Sequence, residues 1–380
     1  MPSTHQHKAH VQQQDKQDSI STNPILESAP IPLSVVEQFR EKHIFITGVT
    51  GFVGKVLLTL IAAKIPQVRK VSVLIRSNQN YDSAKERFDA EVRYSEPFKA
   101  TEKLVEQDRQ DGYFSKWIDQ VIRPITGDIT KNQLGMTDED YQEITKNDPL
   151  DLILHCAGNV NFDPPLNEAL EVNTLGAKHK VALAKDAQCP LIHMSTCFVV
   201  GERSGSISED QEIVGYTPNQ RPFDPEREVK EALQVINYWK ADINNQINDE
   251  YFYQEAKKAL DKRDISSDGK KALETEISKQ KDRWLKNKLK NLGMDRAKKW
   301  GWTNTYTYSK SLGEQLTVLE AKRNGVSLSI VRPAIVESAY QFPFPGWNEG
   351  INTCAPIVYY IGKDSGLARV IPIISSMSYR

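Results

Sequence analysis

A tyrosine and a lysine four positions apart, Tyr306 and Lys310, are the residues whose types and spacing most directly suggest chemistry. On a helix, residues at this spacing lie one turn apart on the same face. A phenol with an ordinary pKa of about 10 is a poor proton donor near neutrality, and we expect the adjacent ammonium to lower that pKa. The pair could then give a proton to a carbonyl oxygen while a hydride reaches the carbon.

A hydroxyl group could help the same step by donating a second hydrogen bond to the developing alkoxide. Ser195 and Thr196 stand together at the end of a predicted strand. Because side chains alternate along a strand, only one of them can face the reacting carbonyl. We choose Thr196, by its distance from Gly201. A tyrosine and a lysine at this spacing also occur by chance on helix surfaces. The surrounding elements must therefore decide whether this pair is catalytic.

The stretch Lys42–Lys55, KHIFITGVTGFVGK, predicts the element that would hold a cofactor. The short apolar strand His43–Thr47 leads through glycines directly into a helix, which is the arrangement that binds a dinucleotide pyrophosphate. Gly48 permits the tight turn, Gly51 lets the backbone approach the phosphates, and Gly54 lets the helix pack on the strand. The spacing is not the commoner G-x-G-x-x-G, so a glycine turn without a cofactor is the alternative.

Further apolar runs alternate with helical patterns after this turn. They predict five more strands, at Val71–Ile75, Val121–Thr126, Leu150–Cys156, Leu191–Ser195 and Leu328–Val331. Helices are predicted over Val53–Ile65, Tyr81–Tyr94 and Pro165–Asp186. This rhythm predicts an α/β fold with a doubly wound parallel sheet of the Rossmann type, whose ligand crevice lies at the C-terminal ends of the strands.

Residues at those strand ends suggest which cofactor is bound. Arg76 follows the second strand, where its planar cation suits a ribose 2′-phosphate, so we predict NADP(H) rather than NAD(H). The alternative is a surface arginine. Asp128 could accept hydrogen bonds from an adenine amino group, although an Asp after a strand is more often a turn residue. Ala157 and Gly158 are small enough for the backbone to lie against the cofactor.

Two other residues are expected near the reacting end of the cofactor. Asn173 could anchor a water molecule that returns protons. Pro333, which lacks an N–H group, fits the wall beside the nicotinamide.

Composition sets limits on partners and compartment. The net charge is −1, which gives no global reason to predict binding to nucleic acid or to a membrane. The cysteines Cys156, Cys189, Cys197 and Cys354 show no metal-ligand spacing, so we interpret them as reduced thiols in a cytoplasmic protein. No run has the roughly 18 to 20 apolar residues of a membrane span, and no signal segment begins the chain. Peripheral membrane contact stays open.

The chain is expected to divide into four segments. A disordered tail covers residues 1–30, the NADP(H)-binding core 31–208 and a charged helical insertion 209–301. Residues 302–380 carry the Tyr/Lys helix, the sixth strand and the start of a substrate region. Histidines 5, 7 and 10 lie in the tail without Cys or carboxylate partners, and we predict no metal site there.

The insertion is much richer in charged residues than the 26% of the whole chain. We interpret it as solvated helices that are too charged for a second hydrophobic core. Its stretch Lys279–Lys299 holds nine basic residues against two acidic ones. These cations could meet the phosphates of coenzyme A or an anionic lipid surface, or they could simply face solvent.

Several blocks together resemble a known family. TGVTGFVG and YTYSK resemble the extended short-chain dehydrogenase/reductase superfamily. Within it, HCAGNVNF, STCFVVGERSG, WTNTYTYSKSLGEQL and IVRPAIVESAYQFPFPGW resemble the alcohol-forming fatty acyl-CoA reductases. The resemblance covers residues 41–350. Family members continue further, so we expect the 380 residues to be a fragment or to have an altered end.

The resemblance implies that NADPH reduces a long-chain acyl-CoA to an aldehyde and then to a fatty alcohol. It implies the catalytic residues Thr196, Tyr306 and Lys310. The cofactor would be held by Thr47, Gly48, Thr50, Gly51, Phe52, Val53, Gly54, Arg76, Asp128, Ile129, Ala157, Gly158, Asn173, Tyr306, Lys310 and Pro333.

Other functions remain open at this point. Cys197 could attack a thioester and hold an acyl group, but strand alternation would turn it away if Thr196 faces the nicotinamide. A reductase could also release the aldehyde after one hydride. A truncated domain could bind NADP(H) without turnover, and a sugar-nucleotide epimerase would keep NAD and have little use for Arg76.

Overall fold

The computed structural model of the chain describes residues 34–350, except 108, 204, 210–212 and 264–269. The predicted tail, its histidines and Cys354 lie outside these residues. The chain divides into two compact units, residues 1–38 and 39–380. In the first unit only residues 34–38 are described, and they contain most of a short helix, α1 (Val35–Phe39).

A parallel sheet of six strands forms the centre of the second unit. Its strands are β1 (His43–Thr47), β2 (Lys70–Ile75), β3 (Ile122–Thr126), β4 (Leu152–His155), β5 (Leu191–Met194) and β6 (Leu328–Val331). They lie in the order β3-β2-β1-β4-β5-β6, and every neighbouring pair is parallel. The predicted doubly wound α/β sheet is thereby confirmed, and β1 and β6 have the predicted bounds. The strand order reverses between β1 and β4, which is where such sheets open a ligand crevice.

Eleven helices accompany the sheet within the described part of this unit. They are α2 (Phe52–Lys64), α3 (Ala84–Phe88), α4 (Glu96–Glu106), α5 (Tyr113–Val121), α6 (Asp138–Gln142), α7 (Leu166–Ala169), α8 (Ala177–Asp186), α9 (Pro225–Asp242), α10 (Gln246–Asp261), α11 (Lys270–Trp300) and α12 (Thr305–Asn324). The sequence patterns above do not predict α4, α5 and α6.

Two predicted helices are interrupted by wider π-helical turns. Asp89–Arg93 continues α3 in this form, and Leu170–Leu175 lies between α7 and α8. Apolar periodicity does not reveal such turns, because one extra residue changes the face that follows. The second π-helical turn carries Asn173, and π-helical turns are frequent at functional sites.

Apolar residues cover the sheet on both faces. Ile44 and Ile46 of β1 pack into one cluster with residues of α2 to α5, whereas Phe45 packs into another with residues of α8. All five residues of β1 are buried. This continuous burial is typical of a central parallel strand and holds the crevice edge in place.

The expectation that the insertion cannot build a core is wrong. Ala232 and Ile236 of α9 pack with Leu289 and Ala297 of α11 in a cluster that also contains α12 residues, such as Leu312. Each of these two helices keeps an apolar stripe for burial, although the carboxylate of Glu228 in α9 is buried as well.

A buried polar triad fastens the same helices to α12. The hydroxyl of Tyr308 donates to Oε1 of Glu228 at 2.6 Å, and Nε of Arg296 donates to the same oxygen at 2.8 Å. Glu228 is buried, so the arginine supplies the opposite charge that an ionised carboxylate needs there. The insertion therefore helps to hold the helix that carries the Tyr/Lys pair.

Candidate active site

The Tyr/Lys pair lies in the first turns of α12, and the start of this helix is well defined. Asn304 caps it by accepting a hydrogen bond from the N–H of Thr307 at 2.9 Å, and the Thr307 hydroxyl completes a capping box. The N–H of Tyr306 donates to the carbonyl of Phe162 at 3.4 Å, and the two rings pack with centroids 5.9 Å apart. Local capping and one contact with the loop after β4 thus position Tyr306.

The structure places Thr196, not Ser195, beside Tyr306. The Thr196 side chain acts to lower the pKa of the Tyr306 phenol. The Ser195 hydroxyl is buried and finds no hydrogen-bond partner among the residues that the structure describes. The strand β5 ends at Met194, so Ser195 and Thr196 both lie beyond it, and the alternation of side chains along a strand does not apply to them.

Thr196 and Cys197 are both hydrogen-bonded to Pro333. The Thr196 hydroxyl donates to the Pro333 carbonyl at 3.5 Å, and the N–H of Cys197 donates to the same carbonyl at 3.0 Å. Pro333 therefore borders the site from the segment that follows β6.

Lys310 points into the interior of the protein. Its ammonium donates a hydrogen bond to the carbonyl of Met194 at 2.8 Å, and the side chain is almost completely buried. Burial lowers the pKa of Lys310 to about 8, against the opposing influence of the Glu314 carboxylate. A Cβ added to Gly158 would lie 3.8 Å from its Nζ, which places Lys310 next to the loop after β4.

The expectation that Lys310 lowers the pKa of Tyr306 is wrong for this structure. Burial of the phenol is the largest influence and raises the pKa of Tyr306, while the Thr196 side chain opposes it. The physical reason is that removal from water disfavours the charged phenolate. Tyr306 therefore keeps its proton through neutral pH.

Strand alternation does not decide which way Cys197 faces. Cys197 begins a 3-10 turn, Cys197–Val200, in which strand alternation does not apply, and its charge would raise the pKa of Tyr306. Burial raises the pKa of the Cys197 thiol itself. Since the thiolate is the attacking form, this environment makes Cys197 a poor nucleophile near neutral pH.

The glycine turn has the shape that a phosphate-binding turn requires. Gly48 has a φ of 81°, and a Cβ there would lie 2.7 Å from the backbone nitrogen of Ala157. A Cβ on Gly54 would lie 2.1 Å from the carbonyl oxygen of Gly48. Gly51 is exposed and caps α2 without a side-chain hydrogen bond, so the first N–H groups of the helix remain available to an anion. Thr50, Phe52 and Val53 flank it and are partly buried.

Thr47 connects the strands beneath this turn. Its hydroxyl lies 3.0 Å from Nδ1 of His155 and accepts the N–H of Ala157 at 3.2 Å. Because Thr47 is buried, its hydroxyl holds the loops after β1 and β4 together.

The amide of Asn173 joins the loop after β4 to α12. Its oxygen accepts the N–H of Asn159 at 2.8 Å, and its nitrogen donates to the Asn159 carbonyl and to the Ser309 hydroxyl, both at 3.0 Å. Both amide hydrogens are used within the protein. The structure thus gives Asn173 a positioning contact, and a water would have to use the remaining lone pair of its oxygen.

The two residues predicted at the adenosine end follow neighbouring strands. Arg76 is exposed at the end of β2, and its backbone carbonyl accepts a hydrogen bond from Arg87 at 2.7 Å. Oδ1 of Asp128 accepts from both the N–H and the hydroxyl of Thr130, so Asp128 forms a turn. Ile129 is partly buried against the second apolar cluster.

Sequence reasoning missed the contacts that the end of the described chain makes with α2. Trp347 stacks on Phe52, and Glu349 forms an ion pair with Lys55. Trp347 lies in the block SAYQFPFPGW, but a pattern of letters does not indicate that the block reaches the glycine turn.

These residues fit a dinucleotide cofactor. The exposed Gly51, the uncapped start of α2 and the small residues Ala157 and Gly158 form one edge with Thr196, Tyr306 and Lys310. Within the described ranges, no group of three or more His, Cys, Asp or Glu side chains could hold a metal ion. Among the same residues, no helix has the length and apolar character to cross a bilayer.

Comparison with known proteins identifies relatives of the chain. The model of the NAD-binding family described as male sterility protein matches residues 46–372. "Probable fatty acyl-CoA reductase 5" of Arabidopsis thaliana is 31% identical over 87% of this chain and 59% of its own length. "Fatty acyl-CoA reductase 2, chloroplastic" of the same plant is 30% identical over 87% of this chain and 47% of its own length. "Alcohol-forming fatty acyl-CoA reductase" of Simmondsia chinensis is 28% identical over 87% and 58%. The chain spans about half the length of these curated relatives.

The glycine turn offers a matched pair of substitutions. Gly54→Ala should lower the thermal midpoint of unfolding strongly, because its Cβ would overlap the Gly48 carbonyl. Gly51→Ala should leave that midpoint nearly unchanged, because its Cβ has an ordinary contact at 3.4 Å, yet it should weaken dinucleotide binding by tenfold or more. Thermal unfolding and cofactor titration check both statements. Equal cofactor affinity in Gly51→Ala and the unaltered chain would show that phosphates do not bind at this turn.

Proposed function

This chain belongs to the fatty acyl-CoA reductase family described by the male sterility protein model, and we propose that it reduces a long-chain acyl-CoA with NADPH. The product would be a fatty alcohol, formed through the aldehyde. The observation that carries the proposal is that Thr196 and Tyr306 lie together at the same sheet edge as the glycine turn, with Lys310 beside Gly158. NADPH, when bound, supplies the hydride.

Tyr306 is the proposed proton donor. Its raised pKa keeps the phenol protonated, and the proton can pass to the carbonyl oxygen as negative charge develops there. The Thr196 hydroxyl would donate a second hydrogen bond to the same oxygen. Lys310 would hold the nicotinamide ribose. Reduction of the thioester gives a hemithioacetal, which releases the thiol and leaves an aldehyde for a second reduction.

The remaining roles concern the cofactor. Gly48, Gly51 and Gly54, with the first N–H groups of α2, would bind its phosphates, and the exposed Arg76 would bind the ribose 2′-phosphate. Asp128 and Ile129 would border the adenine, and Pro333 the nicotinamide. Asn173 would position the loop after β4 rather than contact the reacting groups.

Location and further contacts belong to the same proposal. We place the reaction in the cytoplasm, because the described cysteines are free thiols, which persist in reducing compartments. One similar relative is named chloroplastic. Peripheral membrane contact remains part of the proposal because the substrate is a lipid.

The central test measures NADPH oxidation with acyl-CoAs of several chain lengths, together with identification of the product. Tyr306→Phe should reduce kcat at least a hundredfold, because it removes the proton donor. Cys197→Ala is the matched control and should retain most of the activity, since the thiol beside Tyr306 has no part in the proposed steps.

Each other result has a clear meaning. Equal rates in Tyr306→Phe and the unaltered chain would contradict the mechanism. Loss of activity in Cys197→Ala with retention in Tyr306→Phe would favour a covalent acyl intermediate. One NADPH consumed per acyl-CoA would identify the aldehyde as the product, and two would identify the alcohol.

The preference for NADPH should depend on Arg76. Arg76→Ala should lower the ratio of NADPH to NADH affinity by about tenfold or more, because a charge-assisted contact to the 2′-phosphate is lost. Affinity for NADH should change little, and Lys85→Ala, an exposed cation of α3 that pairs with Asp89, serves as the control. An unchanged ratio would show that Arg76 does not bind the phosphate.

The pH dependence of kcat/KM should follow Lys310. Its pKa is lowered to about 8, so the ammonium is charged below that pH and loses its proton as the pH rises. Because the pKa of Tyr306 is raised, the phenol does not titrate in the same range. We expect kcat/KM to decrease above about pH 8. In Lys310→Arg, which keeps its charge, this decrease should begin at a higher pH. A profile that stays level to about pH 10 would contradict this assignment.

A further inference from the structure

The segment that follows β6 ends in a closed loop, residues 339–349, which we call the strap. The N–H of Ala339 donates to the carbonyl of Trp347, and the N–H of Gly346 donates to the carbonyl of Ala339, both at 2.8 Å. Gly346 has a φ of 80°, which favours glycine at this corner. These bonds give the strap a defined shape and direct Trp347 towards the sheet edge.

Trp347 lies on the first residue of α2. Its ring is 4.9 Å from the ring of Phe52, with 23° between the planes, and its side chain is only 7% exposed. Phe52 directly follows Gly51, at the place where the uncapped N–H groups of the helix begin. A stacked aromatic pair contributes about 0.5 to 1.5 kcal/mol beyond the area that it buries.

A second contact lies one turn further along α2. Lys55 is buried at 4% exposure, and its ammonium forms an ion pair with the carboxylate of Glu349. The N–H of Lys55 donates to the carbonyl of Gly51 at 3.0 Å, so the same residue belongs to the first turn of the helix. An unpaired buried ammonium is strongly unfavourable. The ion pair with Glu349 therefore stabilises the position of this helix turn relative to the strap.

We propose that Trp347 and Glu349 are positioning residues, which hold the first turn of α2 in the conformation that binds the phosphates of the cofactor. This rests on the proposed function. The N–H groups of a helix start bind an anion well when their directions are set before binding, because no ordering cost then opposes the contact. The strap fixes the start of α2 by contacts from outside the helix. Gly51 has no side chain that could cap this turn.

The decisive measurement is the dissociation constant of NADPH, obtained by titration without acyl-CoA. Trp347→Ala should raise it about threefold to tenfold, whereas Trp347→Phe, which keeps a stacking ring, should stay close to the unaltered chain. Glu349→Ala should also raise the dissociation constant of NADPH. Tyr340→Ala is the matched control, because Tyr340 lies in the same strap but is 88% exposed. Should Trp347→Ala not fold, Trp347→Leu keeps the apolar volume without the ring and carries the same expectation.

A purely structural role predicts a different pattern. In that case the Trp347 and Glu349 variants would lower the thermal midpoint but leave the NADPH dissociation constant unchanged, which would overturn the proposal. Tighter binding in Glu349→Ala would also overturn it, because Glu349 would then compete with the phosphates for Lys55.

Failure of the strap proposal and of the proposed function can be told apart. A chain that binds NADPH but does not reduce acyl-CoA contradicts the proposed function and still allows the strap to be tested. If only NADH binds, the same titrations apply, because both coenzymes contain the pyrophosphate. A chain that binds neither coenzyme overturns both proposals.

Discussion

The side chain of Asn173 makes the contact on which the geometry of the site most depends. It bonds the loop after β4 through Asn159 and bonds α12 through Ser309, so two elements distant in the sequence share one amide. Next to it, the hydroxyl of Thr174 donates to the Ser309 carbonyl at 2.9 Å. A Cβ on Gly313 would lie only 1.9 Å from the Asn173 carbonyl oxygen, so α12 approaches this turn as closely as glycine permits. Both the Tyr/Lys helix and Gly158 take their positions from this junction.

Burial shifts the pKa values of the two central ionisable groups in opposite directions. It raises the pKa of Tyr306, which keeps the proton to be donated, and it lowers the pKa of Lys310 to about 8. A carboxylate one turn beyond Lys310, that of Glu314, opposes the second effect and is itself held by Arg332 at 3.0 Å. Arg332 directly precedes Pro333, so the segment after β6 affects the electrostatics of the site as well as its shape.

The insertion shows why charge content is a poor guide to packing. Its helices are rich in lysine, arginine, glutamate and aspartate, yet α9 and α11 bury apolar residues in one cluster with α12, and α10 packs on α11. A helix needs only about three apolar residues in every two turns for this purpose, and the rest of its surface can be charged. Some of the basic residues of α11 have defined contacts: Lys281 pairs with Asp249, and Lys288 lies over the rings of Trp239 and Trp284. The basic stretch is therefore partly a scaffold.

The amino-acid sequence alone predicts the sheet, the glycine turn and the Tyr/Lys spacing. They rest on local rules: strand periodicity, the positive φ of Gly48, and the one-turn separation of residues four apart. The direction of the Tyr306 pKa shift and the contacts of Trp347 were not readable in this way. Each of these depends on which atoms from distant parts of the chain surround a group, and on how much water they exclude, and packing sets both.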